Sequence, residues 1–425
     1  MYRPVPVIQV HCWGEPVGAV ALDTQSRFYA FQYAPNWLRS NYELSPLKLR
    51  KDTQPHTFPL LPVDTYQRLP ALLADALPDR FGNALINAYM ADKGVTASSI
   101  TALDRLAYMG DRSMGALSFK PGRGPRHTKP TAIELSSLVV KARSVLMGNF
   151  SGDRATMAAL SNLIQVGTSA GGARAKAVIA FNPVTQEIRS GQLPAEPGFE
   201  HWLLKFDGIG EDRALGEGGN YGRIEFAYGL MAEAAGIDMP KVDLLQENGR
   251  AHFMIKRFDR GPEGRVHMQS LCAMSHLDYN QRETHSYNQL FQTINELGLG
   301  PDAMQEAFRR MVFNVAAANC DDHTKNVSFL MGRDGVWKLA PAYDVTHAYN
   351  PKGDWTYQHL MSVNGKFRDI TRHDCLEVAD RWMIRNAKDA IDQVRLALQG
   401  WSTHAMAAGI PVDLARSIES DFVKI

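Results

Sequence analysis

The sequence is poor in cysteine, in net charge and in long apolar runs, and each shortage excludes a class of protein. Four of the 425 residues are cysteines and none forms a CxxC pair, which argues against a disulfide framework and favours a reducing compartment. No run of about 18 apolar residues occurs, so we expect no membrane span and no membrane partner. The first residues lack the apolar core of a signal peptide, and we therefore expect a cytoplasmic protein. A net charge of +1 argues against a strongly basic nucleic-acid surface.

One polar segment, Asn319–Asn326, carries the strongest chemical signal of the chain. It reads NCDDHTKN, and Asp321 precedes Asn326 by five residues, the interval between the catalytic Asp and the metal-binding Asn of protein-kinase catalytic loops. Phosphoryl transfer needs a carboxylate that accepts the proton of the attacking hydroxyl. It also needs a carboxamide and a second carboxylate that hold Mg²⁺ against the phosphates, and Asp344 is available for this role.

The sequence after this segment predicts how the second acid returns to the first. Residues 327–330 and 336–339 favour two short strands around a turn at Gly332 to Gly335. Asp321 with Asn326 alone is also explained as a solvated helix end, but Asp344 between apolar segments disfavours that interpretation. His323 beside two aspartates suggests a zinc site as well. Since no second histidine lies three or four residues away, oxygen ligands for Mg²⁺ fit better.

A glycine-rich stretch at residues 167–176 precedes a strand that carries a lysine. Small residues let successive backbone N–H groups approach a phosphate, although glycine-rich loops are frequent. Lys205 ends an apolar strand, so it is predicted to pair with phosphates; the alternative is an edge-strand lysine that points to water. Glu225 on the next helix is the candidate partner of Lys205, with Glu217 and Glu233 also available.

The order of elements predicts an α+β fold of the two-lobed kinase type. The β-rich N-terminal lobe would include a small β/α module, and the C-terminal lobe would be mostly α-helical. We predict domains at residues 1–125, 130–260 and 261–425. Strands are expected within 6–33 and at 112–119, 176–183, 201–206 and 252–258; helices are expected at 71–77, 83–90, 100–109, 131–149, 220–236 and, apart from the hairpin, from 284 onward.

Taken together, these motifs resemble the HipA-type serine/threonine kinases, the toxin component of bacterial HipBA toxin–antitoxin pairs. The resemblance runs over nearly the whole chain. It rests on the stretches 14–18, 69–82, 114–117, 257–260, 319–326 and 339–345.

The resemblance implies ATP and Mg²⁺ as cofactors and gives each motif a role. Asp321 would be the catalytic base, and Asn326 and Asp344 would bind Mg²⁺. Ser169 would match the serine that such kinases autophosphorylate to switch themselves off. The implied nucleotide-binding residues are Gly171, Gly172, Ala173, Arg174, Ala175, Lys176, Lys205, Lys256, Arg257, Phe258, His323, Lys325, Asn326, Tyr343 and Asp344. Arg174-Ala175-Lys176 stands where family loops commonly carry Gln-Glu-Lys, which changes the charge of the loop.

The resemblance also implies partners. A small HipB-like helix-turn-helix antitoxin would carry the DNA contacts, and an aminoacyl-tRNA synthetase is the expected kind of substrate. Two other functions stay open at this point: a nucleotide-binding pseudokinase that acts as the partner of an antitoxin or repressor, and a kinase for small molecules. The sequence has a residue of the required type at the catalytic-base, metal-ligand and lysine positions, which favours an active kinase over the pseudokinase.

Overall fold

The chain divides into two units, each assembled from separate stretches of sequence. The first comprises Met1–Glu211, Lys256–Gln269 and Met331–Val336, and the second comprises Asp212–Ile255, Ser270–Leu330 and Trp337–Ile425. The structure is a computed structural model, and it describes residues 2–125, 174–208 and 219–425.

The alternating pattern near the N-terminus forms a four-stranded antiparallel sheet, as predicted. In spatial order its strands are Tyr29–Tyr33, Glu15–Leu22, Val7–Cys12 and Leu117–Lys120. Ile8, Val10 and Phe31 are fully buried on one face of this sheet. Gly18 permits close strand pairing, because a Cβ there would lie 2.2 Å from the carbonyl oxygen of Gln32.

Short helices cover this sheet, and two of them have clear start signals. Asp79 accepts a hydrogen bond from the backbone N–H of Gly82, and Thr101 forms a capping box with Asp104. Asp104 also accepts a hydrogen bond from the N–H of Val5 at 2.8 Å, which fixes the start of the chain. The helices are Pro35–Leu38, Val63–Tyr66, Ala71–Ala74, Arg80–Ala91 and Ala102–Met109, with a 3₁₀ turn at Ala97–Ser99.

A distant piece of sequence completes the first unit. Asp259 is fully buried and pairs with Arg257 and Arg260, and it also accepts a hydrogen bond from the N–H of Gly115 at 2.7 Å. Because Gly115 adopts a left-handed φ of 71° in the resulting turn, the strand predicted at 112–119 is shortened to Leu117–Lys120. Two short strands, Arg260–Gly261 and Gly264–Arg265, and the strand His267–Ser270 follow.

A second antiparallel sheet of the first unit contains the predicted lysine-bearing strands. Lys176–Phe181 lies between Ile188–Ser190 and Glu200–Lys205, and all six residues of this central strand are buried. Lys176 is directly opposite Lys205 in the register. Side chains directly opposite each other in an antiparallel pair project from the same face of the sheet.

The second unit is mainly helical, as predicted for the C-terminal part. Its longer helices are Tyr221–Ala234, Tyr287–Glu296, Gly300–Ala316, Arg372–Arg381, Ala387–Gln399, Trp401–Ala407 and Val412–Ser420, with a short helix at Leu271–Ser275. Its strands form a hairpin, Val242–Glu247 with Arg250–Lys256, a pair Ser328–Met331 with Trp337–Leu339, and a short parallel pair, His285–Ser286 with Met361–Ser362.

Buried aromatic rings hold the helices of the second unit together. Tyr228 contacts the rings of Phe313, Trp401 and Phe422, and its hydroxyl donates to the carbonyl of Ala317 at 2.7 Å. The end of the helix Gly300–Ala316 is therefore fixed just before the NCDDHTKN segment. Within the ranges that the structure covers, no helix has the length and apolar character to cross a bilayer.

Candidate active site

The segment Asn319–Asn326 begins where a long helix stops. The helix Gly300–Ala316 ends, and Ala318 adopts a left-handed φ of 53° that turns the chain away from the helix axis. Asn319 then returns to the last helical turn, since its backbone N–H and its side-chain amide both donate to Asn314 at 2.9 Å. The acids that follow are thus held at fixed positions beyond the helix.

Asp321 is the partly exposed acid of the segment, and 38% of its side chain is accessible. Its Oδ1 accepts a hydrogen bond from the indole N–H of Trp355 at 2.8 Å, and His323 Nε2 lies 3.8 Å from the same oxygen. Its Oδ2 accepts no hydrogen bond from the residues described. The pKa of the Asp321 carboxyl is raised, chiefly by burial and also by the nearby Asp344 carboxylate. His323 and the indole N–H of Trp355 lower this pKa but do not cancel the effect of burial. One carboxylate oxygen of Asp321 is therefore anchored by the indole, and the other is not.

Asp322, the next residue, has a different environment and a structural role. Its side chain is completely buried and accepts hydrogen bonds from the Tyr287 hydroxyl at 2.8 Å, from His359 Nδ1 at 3.0 Å and from the N–H of Leu360 at 2.7 Å. Burial lowers the pKa of His359, but the Asp322 carboxylate outweighs this effect and raises that pKa to about 10. His359 is therefore a cation at neutral pH, and Asp322 is its buried counter-ion.

Asn326 closes the segment onto Asp321. The 3₁₀ turn Thr324–Asn326 directs its side chain back, and its Nδ2 donates to the carbonyl oxygen of Asp321 at 2.8 Å. Thr324 fixes the other side of this turn through a bond from its hydroxyl to the carbonyl of Leu277 at 2.7 Å. Because the side-chain nitrogen of Asn326 donates this bond, its Oδ1 is the atom that can bind a cation. Amide oxygens are among the ligands that Mg²⁺ prefers.

Tyr343 places the second acid beside this turn. Its hydroxyl donates to the carbonyl of Lys325 at 2.9 Å and lies 2.5 Å from the hydroxyl of Ser328. Asp344 follows with a left-handed φ of 53°, which is uncommon for a residue other than glycine. The predicted return of the second acid to the first is observed.

The predicted acids and carboxamide line one pocket of the second unit. Asp321, His323, Asn326, Tyr343 and Asp344 all border it, together with apolar side chains. The donor set fits Mg²⁺, which is commonly held by one or two carboxylates and completes its shell with water and phosphate oxygens. His323 Nδ1 is buried and has no hydrogen-bond partner among the residues described, so it can also receive a ligand atom at this pocket.

The first unit supplies the predicted lysines. Lys176 and Lys205 are only 2% and 7% exposed, and the register places them directly opposite each other. The alternative of an edge-strand lysine in water is therefore wrong for Lys205. Both side chains project from one face of the sheet, and an ammonium group is of a type that binds phosphate oxygens.

The other predicted nucleotide-binding residues lie in different surroundings, and some lie outside the described residues. Lys256 forms an ion pair with Glu200 at 2.7 Å, and the Arg257 guanidinium forms an ion pair with Asp259 at 2.7 Å. Phe258 follows them in the turn before Asp259. Lys325 lies over the ring of Tyr279, 5.3 Å from its centroid. Arg174 and Ala175 precede the strand Lys176–Phe181, whereas Ser169, Gly171, Gly172 and Ala173 lie outside the described residues.

Sequence reasoning missed four side chains that surround the acids: Trp355, His359, Tyr287 and Tyr279. Each contacts Asp321, Asp322 or His323 from a segment more than thirty residues away in the sequence. No local spacing could have identified them. For Trp355 and His359 the weak signal was a concentration of aromatic and polar residues after Asp344, in a stretch without helical or strand periodicity.

Comparison with protein-family models decides the family. The model described as HipA-like C-terminal domain matches residues 168–401, and the model described as HipA N-terminal domain matches residues 8–120. The chain belongs to the HipA family. The first match includes the NCDDHTKN segment, Asp344 and both buried lysines, so the HipA resemblance on which the sequence interpretation rested is confirmed.

Individual HipA-related proteins are distant in sequence. The serine/threonine-protein kinase toxin HipA of Shewanella oneidensis is 22% identical over 386 residues, which cover 85% of this chain and 79% of that protein. The kinase candidates Y4dM and Y4mE of Sinorhizobium fredii are 26% and 23% identical over 51% and 44% of this chain. The alignments span about half of these two relatives, 56% and 40% of their lengths.

A solved structure shows the same fold. HipA in the Shewanella oneidensis MR-1 complex of HipA, HipB and operator DNA matches with a TM-score of 0.68 and 18% identity, over 97% of this chain and 94% of that one. The predicted α+β fold of the HipA kinase type is confirmed by this match.

Proposed function

We propose that this HipA-family protein is an ATP- and Mg²⁺-dependent serine/threonine protein kinase of the toxin type. The observation that carries the proposal is the shared pocket of Asp321, Asn326 and Asp344. These are the residue types that phosphoryl transfer requires: a base, a carboxamide and a second acid. The kinase names of the relatives support the same activity.

In the proposed reaction Asp321 accepts the proton of the attacking hydroxyl. Its free Oδ2 is the accepting atom, while Oδ1 stays bonded to Trp355. Asn326 Oδ1 and the Asp344 carboxylate would hold Mg²⁺, which, when bound, neutralises charge on the transferred phosphoryl group. Lys205, with Lys176 opposite it, is proposed to bind phosphate oxygens of ATP.

The test measures transfer of labelled phosphate from [γ-³²P]ATP with Mg²⁺. Wild-type protein should transfer phosphate, and Asp321→Asn and Asp344→Asn should each lower the rate by about a hundred-fold or more. Asp380→Asn is the matched control, because Asp380 is an exposed acid on the helix Arg372–Arg381 and should leave the rate unchanged. Wild-type rates in Asp321→Asn would refute the assigned base. Nucleotide binding without any transfer would support the pseudokinase alternative.

Substrate and partners form the finer part of the proposal. We propose a translation factor such as an aminoacyl-tRNA synthetase as the substrate, a HipB-like antitoxin as the inhibitor, and Ser169 as the site of an inactivating autophosphorylation. The Shewanella HipA was solved with HipB and operator DNA, which supports the antitoxin. A near-neutral net charge suits a protein whose DNA contacts are made by its partner.

Phosphoproteomics after expression separates a protein kinase from a small-molecule kinase. New phosphosites on cellular proteins that are absent with Asp321→Asn support the first, and their absence while ATP is consumed supports the second. Mass spectrometry of the purified protein, with and without Mg²⁺ and ATP, tests Ser169. Phosphate on other residues only would exclude the proposed autophosphorylation site.

A further inference from the structure

One short segment of the second unit holds both adjacent acids. Trp355 donates its indole N–H to Asp321, while His359 and the N–H of Leu360 donate to Asp322. Six residues, 355 to 360, therefore contact two neighbouring carboxylates that have opposite roles. The bonds to the buried Asp322 fix the segment. The bond to the partly exposed Asp321 is made at the pocket.

The segment is also fixed from its outer side. Arg282 donates to the carbonyl of Asp354, directly before Trp355. Glu283 accepts hydrogen bonds from the Tyr357 hydroxyl at 2.7 Å and from the Gln358 amide at 3.1 Å. The chain on both sides of Trp355 is thus held by contacts that do not involve Asp321.

Only one oxygen of Asp321 is bound by this arrangement. Trp355 contacts Oδ1, and the ring of His323 lies beside the indole with 6.5 Å between the two centroids. A carboxylate with 38% exposure otherwise rotates freely about its terminal torsion, which is broad and roughly two-fold. The indole hydrogen bond selects one orientation and directs Oδ2 away from the indole.

We propose that Trp355 is a positioning residue for phosphoryl transfer: its N–H fixes the carboxylate of Asp321 so that Oδ2 faces the acceptor hydroxyl. This inference rests on the proposed function, because it concerns the same base. Small errors in the placement of a reacting group cost large factors in rate even where binding is unaffected. Trp355 should therefore act on the rate of transfer and leave nucleotide affinity unchanged.

Trp355→Phe removes the N–H and keeps an aromatic ring beside His323. Trp382→Phe is the matched control, because Trp382 donates its indole N–H to Asn288 at 2.9 Å, a bond of similar length to a group outside the acid cluster. Three quantities are measured for both variants and for wild type: the single-turnover rate of γ-phosphate loss from [γ-³²P]ATP to protein or water at saturating Mg²⁺ and ATP, the Kd of a fluorescent ATP analogue, and the melting temperature.

With Trp355→Phe we expect the single-turnover rate to fall about ten-fold while Kd changes by less than about two-fold. Trp382→Phe should keep the wild-type rate, and its melting temperature reports the cost of losing an indole bond. A wild-type rate in Trp355→Phe would overturn the inference and leave the proposed function intact. A parallel loss of rate, affinity and melting temperature would also overturn it, in favour of a structural role. If wild type and Asp321→Asn both show background rates, the proposed function fails and takes the inference with it.

Discussion

At the scale of single residues, burial distinguishes two neighbouring aspartates, the proposed catalytic base Asp321 and the structural acid Asp322. Asp321 is partly exposed and keeps a free oxygen, whereas Asp322 is fully buried and satisfied by three donors. Removing one member of a buried ion pair leaves the other charge uncompensated. Asp322→Asn should therefore lower the free energy of unfolding by about 3–5 kcal/mol, measured by urea denaturation.

The adjacent substitution is the control for this prediction. Asp321→Asn should change the free energy of unfolding by less than about 1 kcal/mol, because its side chain is exposed to water and its bond to Trp355 can persist. Equal stability losses for the two variants would contradict the division of roles. Comparison of Asp321→Asn with Asp322→Asn then distinguishes a loss of phosphoryl transfer from a loss of folding stability.

The raised pKa of His359 makes stability depend on pH in the alkaline range. Its folded-state pKa of about 10 lies above the ordinary value of 6.5, so the stabilisation is complete below about pH 6.5 and is lost as pH rises towards 10. Wild type should lose about 4 kcal/mol more than His359→Gln between pH 6.5 and 10, measured by urea unfolding at several pH values. Parallel curves for the two proteins would show that His359 does not carry the charge.

At the scale of elements, the pair of strands Ser328–Met331 and Trp337–Leu339 returns the second acid to the first. Tyr343 makes that return specific through its bonds to Lys325 and Ser328. Tyr343→Phe should weaken Mg²⁺-dependent ATP binding several-fold and cost about 1 kcal/mol of stability, measured by titration and thermal unfolding. Tyr357→Phe is the control, because it removes a hydroxyl bond to Glu283 that lies outside the turn. Unchanged affinity in Tyr343→Phe would refute this role.

This pair of strands also shows what the sequence can predict. Its bounds were predicted to within one residue, because strand preference and a Gly332–Gly335 turn are local signals. The roles of Asp321 and Asp322 could not be separated in advance, since their difference depends on Trp355 and His359. The full strand predicted at 112–119 failed for a similar reason: a distant aspartate holds the turn around Gly115.

At the scale of the whole molecule, the N-terminal family domain does not form its unit alone. Residues 256–269 belong to the first unit although they lie far beyond the N-terminal match at 8–120. Arg265 donates to the carbonyls of Ser113, Gly115 and Leu117, and Asp259 accepts from Gly115. Burial raises the pKa of Asp259, but Arg257 and Arg260 hold it well below its usual range, so the buried acid is ionised. The early sequence is thus stabilised by a piece of chain synthesised later.

That dependence predicts a local effect of a distant substitution. In Asp259→Asn the buried Arg257 and the partly buried Arg260 lose their shared counter-ion, so the turn at residues 112–116 should open more often. Hydrogen exchange measured by mass spectrometry on full-length protein should rise about ten-fold or more in peptides that cover 113–120. Peptides from the helix Ala387–Gln399 in the second unit serve as the internal control and should keep their protection. Unchanged exchange at 113–120 would mean that the N-terminal sheet is stable without this ion pair.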